Sequence, residues 1–579
     1  MLQRQITTTV SIPPHCRLHF SRTLKSSLDF VIANPTNLVV WLRLLLLPIC
    51  TLNLYEPKRS SEERSGNRRK LQAAAINSAL LTWKEPSGCY ILVQQLLDLT
   101  KQPPKQRVAS KKKSSKNLVA CRKKLSYSHY TAAIRILSSS GVAPPTPDTL
   151  YELQQKHPLA QPPVIPTEAI SAPAISMGAS DVLLALKSFP KGTSCGRDGL
   201  RAQHLLDAMS GASAAIADDL LQSITGVVNL WLAGKCPSIL GEFVASAPLT
   251  PLLKPGGGLR PIVVGTIWRR LCSKLAANSV CKSLNPYLGN FQYGVGIPCG
   301  GVGILHSSNR LIVLCGSDTS KTMMLIDFTN AFNIVDRSTI IREVRALCPS
   351  IAYWVEFCYM KPARLYYRDH ILSSTQGVQQ GDPLGPLLFA LALHTLIEKI
   401  ASNCTLDFNS WYLDDGTIAG DTLEVYKAFK ILQDVGPSYG LHLNIAKTEL
   451  FWPSFDPRRE SAFPVNIGKA TDGVKLLGGP VSLDPSFCCR TVAHRVDKTI
   501  QLMDKIQVLC DPQCELLLLR SCTGLSRLFF ALRTTFPMAL LPDAERFDSY
   551  LMQYLRRLVV GDNAGFGKVQ QRLATLPIK

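Results

Sequence analysis

The stretch SWYLDDGTIAG, residues 410–420, decides how this chain is read. Two short strand-like runs flank an Asp-Asp-Gly turn, which marks a hairpin with Asp414 and Asp415 at its tip. Asp-Asp-Gly is also an ordinary turn, so the pair acquires chemical meaning only with a partner. That partner is KTMMLIDF (321–328), an apolar run of strand length that leads into Asp327. Carboxylates at strand ends in an apolar frame are costly to bury unpaired and call for cations. Hard oxygen donors suit Mg²⁺, which keeps waters and takes substrate phosphates as further ligands. Two such ions about 3.5–4 Å apart serve in-line phosphoryl transfer.

Working outward, LGPLLFALALHTLIEKI (384–400) reads as a largely apolar helix, with Asp382-Pro383 as its N-cap and first position. TLEVYKAFKILQDVGPSYG (422–440) puts Tyr426, Phe429, Leu432 and Val435 on one helical face and closes in Gly-Pro and Gly. LHLNIAKTELFW (441–452) alternates as a strand. SDVLLALKSF (180–189) reads as a helix capped by Ser180, and SCGRDGLRAQHLLDAM (194–209) as a turn feeding another. Asp336 reads as a helix cap. Helices alternating with hairpin strands imply an α+β fold, an antiparallel sheet with helices on one face.

The 579 residues carry 64 Lys+Arg against 42 Asp+Glu, a net charge of +22, which favours a polyanionic partner. The basic surplus concentrates in KQRVASKKKSSKNLVACRKK (105–124), read as an arm along phosphates or a nuclear-import patch. Prolines in APPTPD (143–148) and PLAQPPVIPTE (158–168) mark a linker. The division is therefore 1–98 an N-terminal helical extension, 99–175 a basic, proline-rich linker, and a main body from 176. The first 28 residues are basic and free of acids, as an organellar leader is, while nucleus or cytoplasm fits the remainder. LVVWLRLLLLPICTLNLY (38–55) contains Arg43 and Pro48, so a buried helix is expected rather than a membrane span. The 18 cysteines are scattered, and CDPQC (510–514) finds no second pair to close a zinc site, so buried free thiols are expected.

The ordered set IDFTNAFNIVDR (326–337), QQGDPLGPLLFALAL (379–393), WYLDDGTIAG (411–420), GLHLNIAKTEL (440–450) and KLLGGPV (475–481) resembles the palm motifs of reverse transcriptases. CGRDGLRAQHL (195–205) and PLLKPGGGLRPIVVG (251–265) resemble the fingers motifs of non-LTR retroelement and group II intron enzymes. The likeness covers roughly half the chain. It implies a right-hand fold with fingers at 176–322, palm at 323–482 and a thumb-like helical region at 483–579. It implies that Asp327, Asp414 and Asp415 hold two Mg²⁺ ions, with Mn²⁺ a substitute. Lys254 and Arg260 then face the triphosphate, Phe332 lies under the sugar, Gln380 and Gly381 face the templating pair, and Lys447 protonates pyrophosphate. Leu476, Leu477 and Gly478 match the primer grip. The implied partners are an RNA template, a DNA or RNA primer and dNTPs, with no membrane. Three departures stand out: Gly385 where relatives carry Ser, Asn333 in place of Asp, and Leu413 before the Asp pair. No departure removes a carboxylate, so RNA-directed DNA synthesis is the expected activity. An RNA-dependent RNA polymerase, or an inactive maturase-like RNA-binding protein, are the alternatives.

Overall fold

A computed structural model describes residues 7–56, 65–101, 114–561, 565 and 567–574. In chain order its strands are β1 (Ala247–Leu253), β2 (Leu259–Val263), β3 (Lys321–Ile326), β4 (Ala363–Tyr367), β5 (His370–Ser374), β6 (Leu406–Tyr412), β7 (Asp415–Asp421), β8 (Glu449–Phe451), β9 (Gly468–Ala470), β10 (Val474–Leu476) and β11 (Gly479–Val481). They form a sheet ordered β2-β1-β4-β5, a larger one ordered β6-β7-β3-β8-β9, and the β10-β11 hairpin.

The larger sheet carries the site. β3 lies antiparallel between β7 and β8, and β9 joins β8 in parallel. Alternation along β3 sends Met324 and Ile326 into the main core, together with the helices Gly385–Asn403 and Thr422–Val435. Met323 points the other way, into a second cluster with Ile304 and Leu305 of the helix Gly300–Leu314 and with Leu476 and Val481. The expected helical face is thus present, and the opposite face is covered as well. The smaller sheet departs from the linear division, because β4 and β5, from the span assigned to the palm, extend the sheet built by β1 and β2.

A buried polar joint ties the helix Ile267–Leu288, which follows β2, to the loop that follows β5. Arg269 is 1% exposed and donates to Asp382 at 2.9 Å and to Gln379 at 2.6 Å, while Tyr359 donates its hydroxyl to Asp382 at 2.7 Å. Asp382 therefore has a structural role, but as the partner of a buried arginine; the helix it was expected to cap begins at Gly385, and its other oxygen accepts from Leu384 N–H at 3.1 Å. Asp336 caps the helix Arg337–Leu347 as expected.

Other expectations change. Within 441–452 only Glu449–Phe451 is strand, because Ile445–Lys447 forms a 3₁₀ turn. The helix at Ala179–Lys187 is capped by Gly178, whose N–H donates to Asp181, and not by Ser180. Residues 105–113 of the basic stretch lie outside the described residues, whereas Ser114–Leu125 is a helix docked on the C-terminal region, not an arm. The proline-rich stretch also carries the helices Tyr130–Ser138 and Pro147–Lys156. The leader-like start forms the helix Pro14–Ala33, which buries Phe20, Leu24 and Leu28 in the main core. Leu38–Thr51 is the buried helix expected, with Trp41 against Trp231 at 4.3 Å. Among the described residues, one helix, Gly385–Asn403, is long and apolar enough to cross a membrane, and it is largely buried in protein. Cys510, expected buried, is exposed. After β11 the long helices Pro485–Gln507 and Pro537–Val560 pack through Val492, Val496, Leu540 and Phe547, the helical pattern expected there.

Candidate active site

The β6–β7 turn consists of Leu413 and Asp414, since Asp415 already pairs with Tyr412 and Gly416 with Trp411. Leu413 holds φ of 57°, a left-handed conformation uncommon for a leucine. Gln292, fully buried, secures it. Its carboxamide oxygen accepts from Leu413 N–H at 2.7 Å, and its amide donates to Leu413 carbonyl at 3.3 Å. Backbone bonds from Trp411 to Phe291 and from Tyr293 to Trp411, both 2.7 Å, hold the same edge. Opposite the turn, Ile326 pairs with Gly416, so Asp327 is delivered one step beyond, beside the tip. Asp327 carbonyl accepts from Asn444 N–H at 2.8 Å and its own N–H donates to Thr448 at 3.3 Å.

Asp327 and Asp414 line one cavity of about 760 Å³, a size that holds a nucleotide-scale ligand. Lys254, Arg260, Phe332, Gln380, Gly381 and Lys447 line it too. The β1–β2 hairpin delivers the first two, with Arg260 paired to Leu252 and Lys254 N–H donating to Gly258 at 3.0 Å across the glycine tip. Phe332 is half-buried and stacks on Phe389 at 4.4 Å, which fixes the ring as part of the floor. Gln380 carbonyl accepts from Val263 N–H at 2.8 Å. Gly381 has φ of 132°, and a Cβ there would stand 2.1 Å from Val263 carbonyl. Its glycine is needed for the close approach of the loop after β5 to β2, a reason the sequence did not offer.

The electrostatics follow from this crowding. Burial raises the Asp327 carboxyl above its ordinary value, opposed by Lys447, a hydrogen bond from Asn444, and Lys254. Burial also raises Asp414, with Asp327 adding to the rise and Arg260 and Lys254 opposing it. Asp415 is pushed to about 6 by its crowded surroundings and then by Asp414 and Asp327, although its surface remains open to solvent. It does not line the cavity. Lys254 is pulled down by burial and then by Lys156, Arg260 and Lys447.

Among the described residues no three His, Cys, Asp or Glu side chains cluster into a ready-made metal cage. Asp327 and Asp414 form an open pair on the cavity wall, with Asp415 the neighbouring carboxylate alongside. Mg²⁺ is served by such a pair, because it binds through one or two carboxylates and completes its shell with water and substrate phosphate. The donors are hard oxygens, and their mutual repulsion is what a cation would relieve, so the residues fit the ion.

Leu476, Leu477 and Gly478 lie elsewhere, in the tight β10–β11 turn with φ of 47° at Leu477 and 90° at Gly478. Leu476 is buried among Ile304 and Leu305, and Gly478 carbonyl accepts from Arg495 at 2.7 Å. Sequence reasoning missed Lys156, Asn330 and Asn444 on the cavity wall and Gln292 behind the turn. Asn330 and Asn444 stood inside motifs already quoted; the others gave no local signal.

A central antiparallel sheet with carboxylates at its hairpin tip, roofed by a basic β-hairpin and followed by a helical region, is the right-hand polymerase fold. Residues 252–481 match the family described as reverse transcriptase (RNA-dependent DNA polymerase). A curated relative, the retrotransposable element SLACS 132 kDa protein of Trypanosoma brucei gambiense, is 24% identical over 305 residues. That match takes in 50% of this chain and 24% of the relative's length. Among solved structures, telomerase from Candida albicans in complex with a fragment of telomeric RNA overlaps 84% of this chain and 96% of its own, at 10% identity and a TM-score of 0.34. An insertion-loop deletion mutant of the RNA-dependent RNA polymerase of a human picobirnavirus overlaps 76% and 89%, at 11% identity and the same score of 0.34. Superpositions this loose assign nothing by themselves.

Proposed function

We propose that this chain is an RNA-directed DNA polymerase of retroelement origin, extending a DNA or RNA primer with dNTPs on an RNA template. The observation that carries the reading is one cavity walled by Asp327 and Asp414 and facing Lys254 and Arg260. Carboxylates opposite cations are what a nucleoside triphosphate with its counter-ions requires. Lys254 and Arg260 bind the phosphates. Phe332, braced by Phe389, would lie under the sugar and select deoxynucleotides by clashing with a 2′-hydroxyl. Gln380 and Gly381 border the templating base. Lys447, in the field of Asp327, is placed to hand a proton to departing pyrophosphate. Two divalent cations, Mg²⁺ or Mn²⁺, held by Asp327 and Asp414 with Asp415 adjacent, would supply activation of the primer 3′-hydroxyl and charge compensation for the leaving group.

The domains follow as fingers at 176–322 joined by β4 and β5, palm over the rest of 323–482, and a thumb at 483–579 along the duplex backbone, with Leu476–Gly478 at the primer end. The +22 charge supports a nucleic-acid partner.

The test is purified full chain with a primed RNA template, Mg²⁺ and either dNTPs or rNTPs. Extension with dNTPs and little with rNTPs is expected. Asp414→Asn removes a contribution of several kcal/mol and should cut the rate roughly 10³-fold. Extension that survives this substitution sinks the reading. Template binding without any extension by the folded wild type favours the maturase-like alternative.

A further inference from the structure

The helix Pro147–Lys156 precedes the family-matched segment, yet its last residue lines the nucleotide cavity. The helix is not a loose appendage. Glu152 accepts from Leu259 N–H at 2.8 Å, so the helix is anchored on the basic hairpin. Leu153 is fully buried in the cluster that holds Leu249 and Leu259. Immediately upstream, Ala143 N–H donates to Pro251 at 2.9 Å and Leu253 N–H donates to Gly141 at 3.1 Å, which adds the incoming chain to the edge of β1. At the far end, Lys156 carbonyl accepts from Asn330 Nδ2 at 2.8 Å, in the loop just after Asp327. Lys156 is therefore fixed from both sides, by the basic hairpin and by the carboxylate-bearing loop.

Its ammonium is only loosely engaged. The ion pair is with Glu152 at 3.4 Å, and the same carboxylate oxygen already accepts the Leu259 hydrogen bond. Lys156 also stands near enough to Lys254 to disfavour that residue's charge. A basic residue in a last helical turn is ordinary, since it complements the helix dipole. A lysine turned into a cavity beside three other cations is not explained that way. Lys156, Lys254, Arg260 and Lys447 outnumber Asp327 and Asp414 there, the wall's third acid, Asp382, being neutralised by Arg269 behind it, and like charges held together in a concave site want a multivalent anion between them.

We propose that Lys156 binds the polyphosphate of the incoming nucleotide, so that the substrate site is completed by a residue from outside the family-matched segment. The proposal rests on the polymerase reading above.

The experiment uses the full chain and the variants Lys156→Ala and Lys156→Arg. Three quantities are read: KM for dNTP, affinity for primer–template, and equilibrium binding of inorganic tripolyphosphate without turnover. Loss of one charge-assisted contact should raise the dNTP KM roughly tenfold in Lys156→Ala, weaken tripolyphosphate by a similar factor and leave primer–template affinity in place. Lys156→Arg should restore most of both. Unchanged dNTP and tripolyphosphate binding overturns the proposal, as does a loss confined to primer–template affinity, which would put Lys156 on a nucleic-acid backbone. Should the wild type fail to extend primers yet bind tripolyphosphate in a Lys156-dependent manner, the site stands and the polymerase reading falls.

Discussion

Asp414 and Asp415 are consecutive carboxylates at a hairpin tip, and Asp327 faces them from across the ladder, so each opposes the ionisation of the next. Asp415 shows the result, with a pKa of about 6 caused by its crowded setting and by the two neighbouring charges. The unfolded chain releases this proton near pH 4. The folded protein thus binds the proton more tightly, and the stability this group provides is complete below about pH 4 and lost as pH rises through about 6. Asp415→Asn, which cannot ionise, should therefore raise the melting temperature of metal-free protein at pH 7.5. By pH 4 the advantage should have vanished. Added Mg²⁺ should also narrow it at pH 7.5, because a bound cation relieves the same repulsion in the wild type. Calorimetry across this range decides the matter: a pH-independent difference would mean that the substitution acts through packing and that the carboxylates do not share a field.

The hairpin that carries these groups is held from behind, and that support shows how far a sequence can be read. The strand Lys321–Ile326 and the helices Gly385–Asn403 and Thr422–Val435 were legible because hydrophobic spacing reports burial directly. The 441–452 segment misled because its alternation serves other ends. Leu443 bridges to Phe328 and Asn444 bonds to Asp327, after which the chain turns as 3₁₀ before pairing resumes at Glu449. Gln292 was invisible, since a lone glutamine in a loop has no period, and its partner Leu413 lies 121 residues on. Gly381 was noticed, but its contact with Val263 is a tertiary fact. Gln292→Ala would leave the half-buried Leu413 N–H and carbonyl without these partners, at up to about 1–3 kcal/mol each. A left-handed leucine so released would relax and carry Asp414 with it. A displacement of about 1 Å at a reacting centre costs on the order of 10²-fold in rate. Steady-state kinetics on folded Gln292→Ala should show kcat falling by that order with dNTP KM little changed, and a higher Mg²⁺ requirement. Full kcat in this variant would show that the turn needs no such clamp.

At the scale of the molecule, chain segments far apart in sequence close on one another. The helices Ser114–Leu125 and Tyr130–Ser138 sit on the C-terminal region, where Cys121, Ala133 and Ile134 are buried against Leu502, Ile506, Leu509 and Leu518. Arg122 donates to Leu509 carbonyl at 2.7 Å. Composition obscured this, because the lysines and arginines around Leu118, Cys121 and Leu125 suggested an arm, yet those three residues recur at helical spacing and share one apolar face. The same segment continues through Ala143 to β1 and on to Lys156 at the cavity, so it links the C-terminal helices to the basic hairpin. Ile134 is the place to break that link, being fully buried in this cluster and not part of the cavity wall. Ile134→Ala removes contacts worth about 2–5 kcal/mol. The loss should be local, since the sheet carrying Asp327 and Asp414 has its own core. Hydrogen exchange should accelerate in Pro485–Gln507 and Pro512–Leu518 while β3 and β7 keep their protection, and on primed template each binding event should yield shorter products at a nearly normal rate of single addition. Equal loss of protection in β3 and β7 would show instead that the C-terminal helices and the central sheet unfold as one unit, and that the upstream helices brace the whole chain.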